Sequence, residues 1–416
     1  MKILIQNSLF YPNLSGGAEK STYLLARELT ARGHEIDVLA TTGKRDGNRH
    51  ALTVRTVEGI KGQVFEAPAS GMYHDLVPSE ATAPSLITRG LHHALNIHSP
   101  TWLRLVRNRL AQSRPDVVHT NNLVGMTAVV WLAAKELGIP IAHTIRDLHL
   151  LCPRTTLLRS DGSLCSHPRW PCRVLSHLKL RHSQNVGMVT SPTRFMLQKH
   201  LAGGAFPDAQ TAVVPNACES IPTELPNRQG RNEVSGLYLG TVAKHKGIPE
   251  LLQALEQLFH DSACDRLHFA FAGKGELTED VAGFCAIYPD RCRYLGVIQG
   301  EAKSATLRES DFVITPSVWP DNFPRVILDG FSHGLPVIGS DRGGIPEVIR
   351  HNVDGQIVSP EPKTIADAIA YYTQNDEVRL QHGQMGRERA YDFTLDRQVT
   401  RFEEIYQDLQ ANLKTS

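Results

Sequence analysis

The chain has 416 residues, 41% of them hydrophobic, with 44 Lys and Arg against 43 Asp and Glu. That length holds two cores of ordinary size, and a formal net charge of +1 excludes a global attraction to nucleic acid, so any basic surface is local. No apolar run approaches the ~20 residues of a transmembrane helix, Met1 to Gln6 is too short an apolar stretch for a signal peptide, and seven cysteines, an odd number, suit free thiols in a reducing, cytoplasmic setting.

Ile3-Leu4-Ile5 and Ile36-Asp37-Val38-Leu39 read as strands flanking a helix from Gly17 to Arg32 that stops at Gly33. Between the first strand and this helix lies Ser15-Gly16-Gly17-Ala18-Glu19. Its paired glycines let backbone approach a phosphate or an acceptor, although the same residues make an ordinary tight turn. Trp102 to Leu110 is basic and amphipathic. Asp116-Val117-Val118-His119 and Ile139 to Thr144 are further strands, with a helix of about 125–137 between them. Strand alternating with helix implies a parallel, doubly wound sheet. The run Ile141-Ala142-His143-Thr144-Ile145-Arg146-Asp147 therefore ends at the carboxyl edge of the sheet, where open α/β sheets bind ligands. A histidine beside a strand, such as His143 or His149, is more often a structural hydrogen-bonder than a substrate contact.

The segment Leu151 to Arg173 carries Cys152, Cys165, Cys172 and His167. Metal and disulfide chemistry are both conceivable there, against a plain hairpin around Asp161-Gly162. Arg169-Trp170 through Arg181 is a second basic amphipathic stretch, which can lie on an anionic membrane or pack on its own domain.

The polar, aperiodic stretch 216–234 reads as a linker. A second βα series follows, with strands at Gly236 to Gly240, Leu267 to Phe271 and Asp311 to Ile314. After these strands come Lys244-His245-Lys246-Gly247, the Gly273-Lys274-Gly275 loop, and Val297-Ile298 beyond Gly296. In Thr315 to Glu347, Asp321 and Asn322 sit where an N-cap belongs and Pro324 reads as the first helical residue, so the helix start at Phe323 to Val326 is a ready anion site. Asp329 lies about two turns on and can face the same cleft. Gly343-Gly344 brings a second backbone near a ligand. Phe393 to Tyr406 reads as a closing amphipathic helix.

The elements Pro316-Ser317, Asp321, Asp329, Gly334-Leu335-Pro336-Val337, Gly343-Gly344 and Glu347 resemble the donor-binding signature of the retaining, Leloir-type glycosyltransferases of family four. The departure is Asp at both positions where that family carries Glu. The resemblance implies the GT-B fold, two facing Rossmann-like doubly wound α/β domains with an interdomain cleft. The acceptor-side domain would span 1–215, completed by a C-terminal helix over 393–416, and the nucleotide-sugar domain 216–392. It implies that Lys246 clamps the diphosphate with Gly16, Gly17, Asn322, Phe323, Arg325 and Val326 around it, that Asp321 holds donor-sugar hydroxyls and Asp329 the ribose, and that Gly273 and Val297 lie near the base. The family's loop Arg is Thr241 here, so Arg325 or Lys244 would have to compensate. Arg146, standing where the family has His, and Asp147 would form the catalytic face with Asp321.

No cofactor and no metal are expected, since the chain has no Asp-x-Asp. The partners are then a nucleotide sugar and a glycan or lipid-linked acceptor, with peripheral contact at the inner face of the membrane allowed by the charge pattern, and no nucleic acid. The implied function is retaining transfer of a sugar in bacterial surface polysaccharide or lipid-linked glycan synthesis. The rivals are a nucleotide-sugar epimerase or hydrolase, and a non-catalytic binding subunit.

Overall fold

Short apolar runs buried on both faces become parallel strands, and the computed structural model, which describes residues 1–13, 16–41, 53–67, 97–153, 155–159 and 163–415, arranges them in two sheets. The first sheet contains β1 (Lys2–Gln6), β2 (Glu35–Thr41), β3 (Thr53–Arg55), β4 (Val64–Ala67), β5 (Val117–Thr120), β6 (Ile141–Thr144), β7 (Met188–Ser191) and β8 (Gln210–Val213). Its order is β3-β4-β2-β1-β5-β6-β7-β8, parallel except for β3 against β4. The second contains β9 (Val234–Leu239), β10 (Leu267–Ala272), β11 (Cys292–Tyr294), β12 (Phe312–Thr315), β13 (Val337–Ser340) and β14 (Gly355–Val358), in the order β11-β10-β9-β12-β13-β14.

Both orders contain a switch point. From β1 the chain goes first to β2 on one side and later to β5 on the other, and from β9 it goes to β10 and then, on the other side, to β12. Loops leaving the carboxyl ends of two such neighbours diverge, and the gap between them is where this architecture takes ligands.

The chain divides into two compact units. One comprises Met1–Leu158, Cys165–Pro215 and Leu395–Ser416, the other Arg159–Leu164 and Asn216–Thr394. In the first unit the final helix, Leu395–Thr415, buries Val399, Phe402, Ile405, Tyr406 and Leu409 among Ile3, Ile5 and Val38. Burying each such side chain stabilises by about 1.5–3 kcal/mol. The Tyr406 hydroxyl also meets His119 Nδ1 at 2.7 Å, satisfying two groups that would otherwise be stranded.

Two local expectations shift. The helix expected over 125–137 runs only Val129–Glu136, because Gly125 and Thr127 take positive φ and make a turn ahead of it. The closing helix starts at Leu395, after a 3₁₀ turn over Tyr391–Phe393. Helix Pro100–Ser113 holds the first basic stretch and packs on its own domain, with Trp102 only 4% exposed and Ser99 capping its N-terminus. In 216–233, without helix or strand, Arg228 is buried and donates to the carbonyls of Ser310 and Leu307.

Candidate active site

At the switch point of the second unit, the loops leaving β9 and β12 are joined backbone to backbone. The His245 carbonyl accepts from the N–H groups of Val318 and Trp319 at 3.2 and 3.3 Å. Gly247 has φ +78, and a Cβ there would stand 2.0 Å from the Pro316 carbonyl oxygen, so only glycine permits the approach. The side chains then meet. The Lys246 ammonium pairs with Asp321 Oδ2 and lies 5.0 Å from the centre of the Trp319 ring, while Ser317 Oγ donates to the same carboxylate oxygen at 3.3 Å.

The expected cap at Asp321 and Asn322 is corrected. Pro324 is the N-cap, extended at ψ 120, and the helix runs Arg325–Ser332 with no side-chain cap and no acidic residue in its first turn. Asp321 cannot serve because its carboxylate is committed to Lys246 and Ser317, and its carbonyl accepts from Gly344 N at 2.8 Å. The positive end of the helix dipole is therefore left unmatched by protein carboxylates in its own first turn, which suits an anion. Gly343, at φ +63, would place a Cβ 2.1 Å from Asp321 O, so this glycine pins the loop against the Asp321 backbone.

Asp329 has its own lysine. Lys303 Nζ lies 3.0 Å from Asp329 Oδ1 and 3.7 Å from Glu219 Oε2. Lys303 stands in helix Gly300–Glu309, where nothing in the local sequence pattern points across to Asp329. Trp319 stands inside the signature segment, between Ser317 and Asp321, but matches no element of the signature. Gly273 lies backbone-on-backbone against Gly240, with its N–H on Gly296 O at 2.7 Å and its carbonyl accepting from the Tyr294 hydroxyl at 2.7 Å. Val297, just beyond, is exposed.

In the first unit the corresponding edge gathers residues from the loops after β1, β5 and β6. Gly16 precedes helix Gly17–Ala31, whose first turn carries a buried Glu19 with Oε1 3.5 Å from Asn122 Nδ2. Burial pushes the Glu19 carboxyl above its ordinary range. Arg146 Nε donates to Asn121 Oδ1 at 3.0 Å. Asp147 is half-buried and accepts from His149 N at 2.8 Å; desolvation raises its carboxyl to about 6, against the opposing pull of that hydrogen bond and of the Lys179 charge. Lys179, also buried, donates to the His149 carbonyl at 3.0 Å, and burial lowers its ammonium to about 8.

The histidines behind this edge are framework. His143 bonds Thr120 Oγ1 at 2.9 Å and stacks on Phe206, and burial holds its ring well below the usual value and neutral. His119 lies between Tyr406 and Thr144 and is lowered to about 3 by burial and then by Arg146. Cys152, Cys165 and Cys172 are free thiols, and the described residues assemble no group of three or more His, Cys, Asp or Glu able to hold a metal. Ser15 and the Asp161-Gly162 turn lie outside the described residues.

Two family models match: a glycosyl transferase 4-like domain over residues 16–217, and glycosyl transferases group 1 over residues 234–375. An uncharacterized 42.6 kDa protein in the cps region of Klebsiella pneumoniae is 25% identical, with 84% of this chain and 88% of the relative covered. The D-inositol 3-phosphate glycosyltransferase of Corynebacterium diphtheriae is 23% identical, covering 95% of this chain and 90% of its own. Among solved structures, sucrose-phosphate synthase from Thermosynechococcus elongatus superposes with a TM-score of 0.72 at 17% identity, covering 99% of both chains. Anabaena HepE in complex with UDP-glucose does so with a TM-score of 0.67 at 16% identity, covering 98% of this chain and 100% of that one. These likenesses establish the expected fold class, paired Rossmann-like α/β domains.

Proposed function

The chain belongs to the glycosyltransferases of the GT-B fold, and on that premise we propose that it moves a hexose from a nucleoside diphosphate sugar to a hydroxyl acceptor, with retention and without a metal. The observation that carries this reading is the Lys246–Asp321 pair at the β9/β12 switch point, beside an uncapped helix start. A diphosphate needs fixed positive charge, and Lys246 with the N-terminus of helix Arg325–Ser332 supplies it preorganised. Asp321, released from Lys246 as the diphosphate arrives, takes donor-sugar hydroxyls, and Asp329 takes the ribose.

Arg146 and Asp147 orient the acceptor in the first unit. The acceptor hydroxyl attacks the face from which the diphosphate departs, and the leaving phosphate oxygen accepts its proton, so no protein nucleophile is required. The relative in a cps region supports a surface glycan as the product, with a glycan or lipid-linked acceptor. UDP-glucose in the HepE complex supports a nucleotide sugar as donor.

The test is a thermal-shift screen of nucleotide sugars, where a ligand at 100 times its Kd adds roughly 2.7 kcal/mol, followed by NMR of the product. An axial donor linkage is expected to stay axial; inversion removes the retaining mechanism. A rearranged sugar from donor alone would make the protein an epimerase.

A further inference from the structure

Helix Trp170–Leu180 leaves a Trp and a Val outside while it buries a lysine, with Leu180 packed on the core. Its one fully buried side chain is Lys179, while Trp170 is 76% and Val174 49% exposed. Arg173 and His177 are exposed too, and the spacing 170, 173, 174, 177 puts all four on one stripe. A helix that only packed on its own domain would turn the Trp and Val inward and the Lys outward. Trp102 in helix Pro100–Ser113 does turn inward.

The stripe borders a cavity of ≈860 Å³ that runs toward helix Arg194–Ala202. Leu151, Leu157 and Leu178 give it apolar walls, Arg173 and Lys199 give it cations, and no Asp or Glu is found in its lining among the described residues. The surrounding sequence has the same bias. Residues 148–207 hold eight Lys and Arg (154, 159, 169, 173, 179, 181, 194, 199) and one acidic residue, Asp161, in a chain whose net charge is +1.

We propose that this face docks on an anionic phospholipid bilayer, with Trp170 at headgroup level, Arg173 and Lys199 on lipid phosphates, and acyl-chain carbon entering the cavity. Apolar walls alone would accept many partners, but exposed Trp with one-signed cations selects a surface that is apolar below and negative above. The buried side of the same helix adds a consequence. Lys179 holds the His149 carbonyl next to Asp147, so the docking helix is tied to the loop that carries the proposed acceptor-orienting residues. The docking itself rests on the first unit alone and not on the transferase reading.

The experiment is vesicle flotation of the full chain with phosphatidylcholine alone and with about 30% phosphatidylglycerol added, at low and high salt. Flotation is expected only with phosphatidylglycerol and is expected to weaken at high salt. Trp170→Ser/Val174→Ser and Arg173→Glu/Lys199→Glu should each reduce partitioning roughly tenfold or more, with unchanged melting temperature because all four side chains are exposed. Equal flotation on both vesicle types, none on either, or a charge-reversed protein that still floats overturns the proposal. Nucleoside diphosphate binding measured on the same samples reports on the transferase reading separately.

Discussion

Lys246 and Asp321 are paired across the loops that leave β9 and β12, so a diphosphate arriving at the helix start competes with a carboxylate for the ammonium it needs. The two residues should therefore respond in opposite directions. Lys246→Ala is expected to weaken nucleoside diphosphate binding and to lower turnover by roughly 2–4 kcal/mol, comparable to the loss of an oxyanion donor. Asp321→Asn frees the ammonium, so nucleoside diphosphate affinity should hold or tighten, while kcat/KM with the full donor falls by about 1–3 kcal/mol as charge-assisted sugar contacts are lost. Calorimetric titration of nucleoside diphosphate and sugar nucleotide separates these effects. Equal weakening of both ligands in both variants would end the assignment.

The second carboxylate is expected to behave differently because its lysine is different. Asp329 shares Lys303 with Glu219, so Asp329→Asn should weaken the nucleoside diphosphate itself if this position holds the ribose. Lys303→Met should change the same affinity without touching discrimination between sugars. A double-mutant cycle should give a coupling of about 0.5–3 kcal/mol, since the two groups are in contact. Additive losses would show that the ion pair has no part in binding.

The strands were legible because parallel strands buried on both faces must be apolar runs, as Ile3-Leu4-Ile5 and Phe312-Val313-Ile314 are. The glycines of the ligand loops were legible because close backbone approach leaves no room for a Cβ. What escaped was set by partners distant in the chain. Asp321-Asn322-Phe323-Pro324 satisfies every local rule for an N-cap, yet Lys246, 75 residues away, takes the carboxylate. Lys303 reaches Asp329 across 26 residues from another helix. Lys179 sits in a stretch that reads as basic and amphipathic, yet it is itself buried, because the loop after β6 offers it the His149 carbonyl. Local pattern cannot report pairings that only the packed sheet creates.

Gly343→Ala tests how tightly the Gly-rich loop constrains Asp321, the carboxylate proposed to hold the donor sugar. The added methyl would stand 2.1 Å from Asp321 O and 2.6 Å from Asp321 N at a φ of +63, so backbone must move and the Gly344 N to Asp321 O bond must lengthen. A stability loss of about 1–3 kcal/mol is expected from the strained conformation, with kcat/KM falling by more than the loss of folded protein explains. Denaturant unfolding alongside steady-state kinetics measures both. A variant with native kinetics and lowered stability would confine Gly343 to a folding role.

Metal dependence follows from the charge inventory. With Lys246 and a helix dipole to meet the leaving diphosphate, EDTA should leave turnover unchanged, and added magnesium or manganese should not raise it. Activity abolished by chelation and restored by either ion would mean that the protein's own positive charge is insufficient.

The pH dependence is expected to come from half-buried Asp147 and buried Lys179, which interact electrostatically. Burial raises the Asp147 carboxyl from 3.8 to about 6, so between those values the folded chain binds more protons than the unfolded chain and stability falls as pH rises. Burial lowers Lys179 from 10.5 to about 8, so between 8 and 10.5 the unfolded chain binds more protons and stability rises with pH. Around neutrality both groups are charged, and their mutual attraction offsets part of the cost of burying them. If ionised Asp147 orients the acceptor, kcat/KM should decline below about pH 6, and Asp147→Asn should lower the plateau and remove that limb. Lys179→Met removes the cation that favours the carboxylate, so the limb should move to higher pH while nucleoside diphosphate affinity in the other unit stays the same. A merely structural Lys179 would lower melting temperature and leave the limb in place, so the pH–rate profile of the variant, read with its thermal melt, decides between the two roles.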